Sequence, residues 1–233
     1  MKKVLFLFLG LVLGLLPASA QIDDQTSFSS GSFVKEKNNA FYLGIKGGVD
    51  ITSMTQPTQS KLFDKTGVGF SGGLALRGRF GKVTENSYGG TGYFGVGLEL
   101  KYKQNKVKTI AGTGEDLTID YFEVPVVAQV FPFAKNASMN PFYIELGASF
   151  GGALSKKPDQ LTVNDNSGTV VYNIKDINGL NVSGVAGLGY TIPNTGLDIN
   201  ARYYLGFTDL SNSIASKMSS FEVSLAWYFK LGK

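Results

Sequence analysis

Apolar and polar residues alternate along this chain in eight segments, each of roughly ten residues, and each segment ends in a turn or a polar loop. Alternation with a period of two places every other side chain on the same face of a β-strand. Phe142, Ile144 and Leu146, for example, alternate with Tyr143 and Glu145. Eight such segments in succession predict an all-β fold, an eight-stranded antiparallel up-and-down β-barrel spanning residues 40–233.

The aromatic residues on the apolar face lie at the ends of the predicted strands, and almost all charged residues lie on the opposite face. One predicted ring contains Phe41, Phe80, Phe94, Phe142, Tyr190, Trp227 and Phe229. The other contains Phe70, Tyr102, Phe122, Phe150, Phe207 and Phe221. Two aromatic rings around an apolar band are typical of a transmembrane barrel, whereas a soluble ligand-binding barrel has its apolar residues inside.

The connections between the predicted strands alternate in length. Residues 192–196 form a tight turn and residues 132–140 a modest one, whereas long polar connections are predicted around residues 53–67, 105–117, 155–179 and 209–219. The connection at residues 81–91 is long for a turn. Outer-membrane barrels have short periplasmic turns and long external loops, so the even strand count predicts that both termini are periplasmic.

The N-terminal residues predict export. Lys2 and Lys3 precede a short apolar run, and Ala18-Ser19-Ala20 is typical of a cleavage site, so residues 1–20 are interpreted as a signal peptide. The apolar run is too short for a spanning helix. Residues 21–39 are polar and predict a flexible periplasmic lead-in. The net charge of +4, half of it from the two leader lysines, gives no reason to expect binding to nucleic acid.

The polar face carries charges of both signs on neighbouring strands, and these side chains would point into the lumen. The inward charges are Lys46, Asp50, Arg77, Arg79, Glu99, Lys101, Lys103, Glu123, Glu145, Asp198, Arg202 and Glu222. A lumen of eight strands is filled by its own side chains, and buried charges must be paired. We therefore expect a network of salt bridges and hydrogen bonds that plugs the lumen, with a narrow ion pathway as the alternative.

No motif in the sequence indicates catalysis or cofactor binding. Two matches to the dinucleotide-binding fingerprint, at residues 67–72 and 90–95, are followed by no helix pattern. Residues 147–151 match a hydrolase nucleophile motif, but the chain has no His and so no Ser-His-Asp triad. The chain also has no Cys, and residues 164–168 lack the full spacing of a calcium loop. We expect no enzymatic activity, no cofactor and no metal.

Two lysines lie on the outward face beyond Tyr102. Lys106 and Lys108 would stand at the outer rim, where they could meet phosphates of lipopolysaccharide by charge attraction. The alternative is that they are a solvated strand end.

Five segments together resemble the PorT-like outer-membrane β-barrel proteins of Bacteroidetes, barrels of the eight-stranded OmpA/OmpX type. These segments are residues 41–48 (FYLGIKGG), 121–127 (YFEVPVV), 141–147 (PFYIELG), 187–190 (GLGY) and 202–210 (RYYLGFTDL). The resemblance implies a non-enzymatic barrel and, through the family's namesake, a link to protein secretion and gliding machinery. The chain departs from such barrels by ending four residues after its last strand aromatic, Phe229. Recognition by the outer-membrane assembly machinery would then use Trp227 and Phe229 at a slightly internal position.

The sequence does not distinguish between three functions. The first is an envelope-structural or surface-interaction role, with outer-membrane lipids as surroundings and a protein partner at the external loops. The second is an accessory role in a secretion or transport assembly, and the third is a narrow pore. A barrel enzyme acting on lipid is the least supported reading, because such enzymes generally use a catalytic His.

Overall fold

The computed structural model describes residues 37–55, 65–83, 92–108, 116–134, 139–165, 168–173, 178–209 and 216–231. Within these ranges all regular structure is β-strand. The strands are β1 (Lys37–Thr55), β2 (Lys65–Val83), β3 (Phe94–Lys108), β4 (Asp116–Val130), β5 (Phe142–Lys157), β6 (Gln160–Asp165), β7 (Gly168–Asn173), β8 (Leu180–Thr191), β9 (Leu197–Asp209) and β10 (Lys217–Leu231). The predicted signal peptide and residues 21–36 of the predicted lead-in lie outside the described residues. No helix in the described part of the chain is long and apolar enough to cross a membrane.

Eight of these strands close into one antiparallel barrel, which confirms the predicted fold class. The order around the barrel is β1-β10-β9-β8-β5-β4-β3-β2, and every neighbouring pair is antiparallel. Closure is made by β1 and β10, whose register runs from Phe41 opposite Leu231 to Thr55 opposite Lys217. Because the barrel is closed, none of its eight strands is left with an unpaired edge, which is how barrels avoid edge-to-edge association.

The two faces of the barrel follow the alternation in the sequence. Polar side chains such as Glu145 and Ser149 are buried in the interior, while Ile144, Leu146 and Phe150 are exposed on the outside. The exterior is therefore apolar over the middle of the barrel. A soluble barrel does not expose such a continuous apolar surface, whereas a barrel in lipid requires one.

The strands extend further than the alternation predicts. β1 begins at Lys37, inside the predicted lead-in, and β2 continues to Val83, which shortens the connection predicted at residues 81–91. β1, β3 and β5 also run beyond their predicted ends, to Thr55, Lys108 and Lys157. In these extensions β1 and β5 are largely polar on both faces, and β3 places Val107 inward and lysines outward, but the backbone ladder continues there.

The barrel has two distinct ends. We call the end where β1 begins and β10 finishes the turn end, because the connections between β4 and β5 and between β8 and β9 lie there. The opposite end, where β1 passes towards β2 and β5 towards β8, is the loop end. At the turn end Asn194 and Gly196 have positive φ angles of 63° and 73°, and Ile192 N donates to Leu197 O at 2.6 Å. Asn and Gly tolerate this left-handed backbone, which allows the predicted tight turn.

One connection contains structure that the sequence reading missed. Residues 155–179 were expected to be a long polar loop, but β5 continues to Lys157 and β6 and β7 then pair as a separate two-stranded sheet. The register of that hairpin runs from Gln160 opposite Asn173 to Asp165 opposite Gly168. The hairpin belongs to the loop end and takes no part in closing the barrel.

The close packing of the interior leaves no room for a side chain at Gly189. A Cβ on Gly189 would lie 2.3 Å from the ring of Tyr143, which is fully buried on the neighbouring strand. We expect Gly189→Ala to lower the free energy of unfolding by about 1–3 kcal/mol, because the ring must move away from its hydrogen-bond partners. The measurement is the urea midpoint in lipid vesicles, followed by the gel shift between boiled and unboiled protein.

Gly152→Ala is the matched control, since a Cβ at Gly152 meets no atom within 4 Å. Equal urea midpoints for the two variants would show that Tyr143 is not held where the structure has it.

Candidate functional site

The interior of the barrel holds all twelve charged residues that the sequence predicts to point inward. The described part of the barrel buries six basic and six acidic side chains: Lys46, Arg77, Arg79, Lys101, Lys103 and Arg202, with Asp50, Glu99, Glu123, Glu145, Asp198 and Glu222. The opposite charges balance. Such a set can be buried only if the side chains satisfy one another, because an isolated ion inside a protein costs several kcal/mol.

At the turn end, Arg77 and Asp198 form the first ion pair. Arg77 Nη1 donates to Asp198 Oδ2 at 2.9 Å, and Arg77 Nη2 donates to the hydroxyl of Tyr143 at 2.8 Å. The Tyr143 hydroxyl donates in turn to Asp198 Oδ1 at 2.8 Å, and Thr191 Oγ1 donates to Asp198 Oδ2 at 2.7 Å. The guanidinium group also lies over the ring of Tyr228, 4.2 Å from its centroid. Asp198 is therefore held by three donors.

Arg79 closes the turn end in a different way. Its guanidinium group lies 3.7 Å from the ring centroid of Phe131, and it donates to the carbonyl of Gly92 and to Asn140 Oδ1. Phe131 follows β4 directly and packs with Ala134 and Tyr143 in a buried apolar cluster. The sequence reading placed Arg79 in a salt-bridge network. The structure instead gives it a cation–π contact and neutral acceptors among the described residues.

Arg202 connects two carboxylates at the centre of the lumen. Its Nη2 lies 2.8 Å from Glu99 Oε1 and donates to Glu145 Oε2 at 3.1 Å, while its Nε donates to Glu145 Oε1. Lys46 Nζ donates to Glu99 Oε1 at 3.0 Å from the other side. The amide of Asn200 donates to Glu145 Oε1 at 2.8 Å. These contacts join β1, β3, β5 and β9 across the lumen.

Glu222 anchors the next part of the network towards the loop end. It forms a close ion pair with Lys101, accepts a hydrogen bond from Ser71 Oγ at 3.2 Å, and lies 3.7 Å from Lys46 Nζ. Lys101 Nζ also donates to the hydroxyl of Tyr204 at 2.7 Å. Lys46 thus links Glu222 to the central pair of carboxylates.

The last ion pair joins Lys103 and Asp50. Their nearest side-chain atoms are 3.1 Å apart, and Lys103 Nζ donates to Ser220 Oγ at 2.7 Å and lies 3.6 Å from the ring centroid of Tyr204. Beyond this pair, towards the loop end, Thr52 Oγ1 donates to Asn105 Oδ1 at 3.2 Å, and after Asn105 the inward residues of β3 and β4 become apolar. Val107, Leu117 and Ile119 are each about as fully buried as the charged residues below them.

Glu123 is buried but makes no ion pair with a described residue. Its carboxylate accepts a hydrogen bond from Ser149 Oγ at 3.3 Å. Glu123 therefore differs from the other five acidic residues of the lumen, each of which faces a lysine or arginine.

The sequence reading missed the uncharged members of this network. Tyr143, Tyr204 and Asn200 each bridge charged groups, and each lies on the inward face. Their position in the alternation places them inward, but alternation alone does not show that an uncharged side chain bridges two charged groups. The two remaining candidates, Lys106 and Lys108, lie outside the lumen, on the outward face at the loop end of β3.

Within the described residues no group of three or more His, Cys, Asp or Glu side chains could hold a metal ion. Five of the six lumen carboxylates face a lysine or arginine, although neither oxygen of Asp50 accepts a hydrogen bond within the described residues.

Arg202 gives the sharpest test of the network. We expect Arg202→Met to lower the free energy of unfolding by about 3–5 kcal/mol, because Glu99 and Glu145 lose the cation between them. Adding Glu145→Gln to Arg202→Met should recover part of the loss, since one uncompensated charge is removed. The measurement is the same urea titration in vesicles, and Lys217→Met, an exposed change, is the control. Additive effects of the two lumen substitutions would contradict the direct pairing.

Comparison with known proteins agrees with this architecture. The family described as "Outer membrane protein beta-barrel domain" matches residues 19–212. No curated protein sequence matches the chain.

Solved structures similar to the chain include three bacterial surface barrels. The attachment invasion locus protein Ail of Yersinia pestis, in complex with the heparin analogue sucrose octasulfate, is 16% identical with a TM-score of 0.44, covering 81% of this chain and 99% of Ail. Neisserial surface protein A is 11% identical with a TM-score of 0.44, covering 83% and 100%. OprG from Pseudomonas aeruginosa is 12% identical with a TM-score of 0.40, covering 83% and 97%. On the family match, this chain belongs to the outer-membrane β-barrel family.

Proposed function

We propose that this protein is a non-enzymatic outer-membrane barrel with a closed lumen, which serves the envelope structurally or through interactions at its loop end. The observation that carries the proposal is the balanced network of buried charges from Arg77 to Lys103. An eight-stranded lumen has little room beyond its own side chains. Here that room is filled by paired groups, so an ion that entered would have to break several of these contacts.

Both ends of the lumen support closure. Phe131 and Tyr143 pack together at the turn end, with Arg79 over the Phe131 ring. Val107, Leu117 and Ile119 fill the interior near the loop end. An apolar constriction disfavours ion passage because it does not hold water.

We infer the orientation from the lengths of the connections. The short turn at residues 192–196 would face the periplasm, together with both termini, and the loop end with the β6–β7 hairpin would face outside. The predicted signal peptide would direct export of the chain, which this orientation requires. The surroundings would be outer-membrane lipids and lipopolysaccharide, after insertion by the assembly machinery, with a protein partner at the external loops.

A role as an accessory component of a secretion or transport assembly is the second candidate. It is favoured by the PorT-like segments and by the β6–β7 hairpin, a two-stranded sheet whose outer edges pair with no described strand. Such edges can accept a strand from a partner chain. If this candidate is right, deleting residues 160–173 should abolish co-purification of a defined assembly subunit while the barrel still folds.

A closed lumen predicts that the protein does not conduct ions across a bilayer. In planar bilayers we expect no stable conductance from the wild-type protein, because its network blocks the lumen. The double variant Lys101→Ser/Glu222→Ser removes both members of one pair without stranding a charge, and it should remain non-conducting too, because the packed groups at both ends of the lumen are unchanged. Gel mobility before and after boiling verifies that the variant is folded.

Steady ohmic conductance in the wild type would overturn the closed lumen and establish the narrow pore. In that case Glu123→Gln should change the ion selectivity, because Glu123 is the acidic lumen residue without an ion pair in the described structure.

A further inference from the structure

The outward face of β3, β4 and β5 carries an organised cationic site at the loop end. Lys106 on β3 lies opposite Thr118 on β4, and Thr118 lies opposite Lys157 on β5. The three residues therefore stand side by side in one row across three strands. We call Lys106, Thr118 and Lys157 the rim row.

The rim row has the dimensions of a clamp for one small anion. Neighbouring strands are ~4.8 Å apart, so the two lysine backbones are separated by about 10 Å across Thr118. A lysine side chain reaches about 6 Å, so both ammonium groups can converge on a group above Thr118, whose hydroxyl adds a hydrogen-bond donor. Lys157 is exposed and Lys106 and Thr118 are half-buried on the outer surface.

The two lysines are available for a ligand. Neither forms an ion pair with any residue in the described ranges. Two acidic residues, Asp116 and Asp120, flank Thr118 on the outward face of β4, and neither forms an ion pair with Lys106 or Lys157 in the described residues; the carboxylate of Asp120 accepts a hydrogen bond from Gln104 Nε2 at 3.2 Å. Lys108 is placed differently from Lys106, since it lies opposite Asp116 in the register and so has an acidic neighbour.

The height of the rim row points to a lipid headgroup. Four residues before Lys106 on β3 lies Tyr102, opposite Phe122 and 5.5 Å from the ring of Phe70, within the aromatic ring near the loop end. Four residues correspond to about 13 Å along a strand, or about 10 Å of height when the strand is tilted by ~40°. Aromatic rings mark the border of the hydrocarbon layer, and lysines just beyond it lie among the headgroups.

We propose that the rim row binds a phosphate group of lipopolysaccharide in the outer leaflet, on one side of the barrel. The site rests on the proposed orientation, in which the loop end faces outside, but it does not depend on a closed lumen. It refines the pair expected from the sequence, because Lys157 from β5, rather than Lys108, completes the site with Lys106. A phosphate suits this geometry since a compact dianion can be shared by two ammonium groups.

The test uses detergent-folded protein titrated with bisphosphorylated lipid A, with bound lipid counted by native mass spectrometry. We expect Lys106→Ala and Lys157→Ala each to weaken binding about fivefold and the double variant about 25-fold, the effect of one lysine near an anionic surface being applied once or twice. Lys106→Arg/Lys157→Arg should retain most of the binding. Lys217→Ala, a change at an exposed lysine of β10 on the same rim, is the matched control and should leave binding unchanged.

Two further probes identify the source of the phosphate. Lipid A without phosphates should bind at least tenfold more weakly, and the two rim-row alanine changes should then make no difference. Phosphatidylglycerol that binds as tightly as lipid A, with the same sensitivity to the rim-row variants, would overturn the assignment to lipopolysaccharide. Unchanged lipid A binding in the double alanine variant would overturn the site itself. The lipid-binding results do not depend on the conductance measurement, which tests the closed lumen separately.

Discussion

Closure of eight strands into one narrow barrel is the constraint on which the rest of this structure depends. It pairs the backbone of all eight barrel strands and directs alternate side chains into a space that excludes bulk water. Charged side chains can exist there only with partners. The central arrangement, in which Arg202 serves Glu99 and Glu145 while Lys46 also serves Glu99, shows how partners are shared so that few charges are left alone.

The same constraint explains why most of the ion pairs connect strands that are not neighbours in the sheet. Arg77 on β2 meets Asp198 on β9, and Lys103 on β3 meets Asp50 on β1. Arg202 on β9 and Glu99 on β3 are four strands apart in the closed barrel, so their contact spans the lumen and joins opposite walls. The backbone ladder closes the barrel around its circumference, and the side-chain network braces it across its diameter. Aromatic hydroxyls such as that of Tyr143 connect the individual pairs, so the network is continuous along much of the interior.

The direction in which each side chain points could be predicted from the sequence, because in a β-strand it depends only on the residue's place in the local alternation. The alternation around Glu145 is sufficient to place it inside, whatever the rest of the chain does. The partners of Glu145 could not be predicted, since they depend on the strand stagger, which brings Arg202 and Asn200 from β9 to the same height. Arg79 illustrates the same limit, because its partner Phe131 comes from the turn after β4. The hairpin was missed although its sequence carried a signal: Leu161 and Val163 precede, and Val170 and Tyr172 follow, a turn-forming stretch at residues 165–168.

A lumen filled in this way moves the possible sites of interaction to the outer surfaces of the barrel. The interior charges balance, so they create no strong net attraction for an ion of either sign. The outer surface is uneven by comparison. Apolar side chains cover its middle, whereas beyond Tyr102 the outward face of β3 to β5 gains lysines that no described acidic residue neutralises by an ion pair. A cation left free at the border of the hydrocarbon layer is favourable when an anion is present at that height, and a leaflet rich in phosphate provides one. In the proposed orientation, the position of Lys106 and Lys157 is explained by the surrounding lipid, because no described acidic residue holds them in an ion pair.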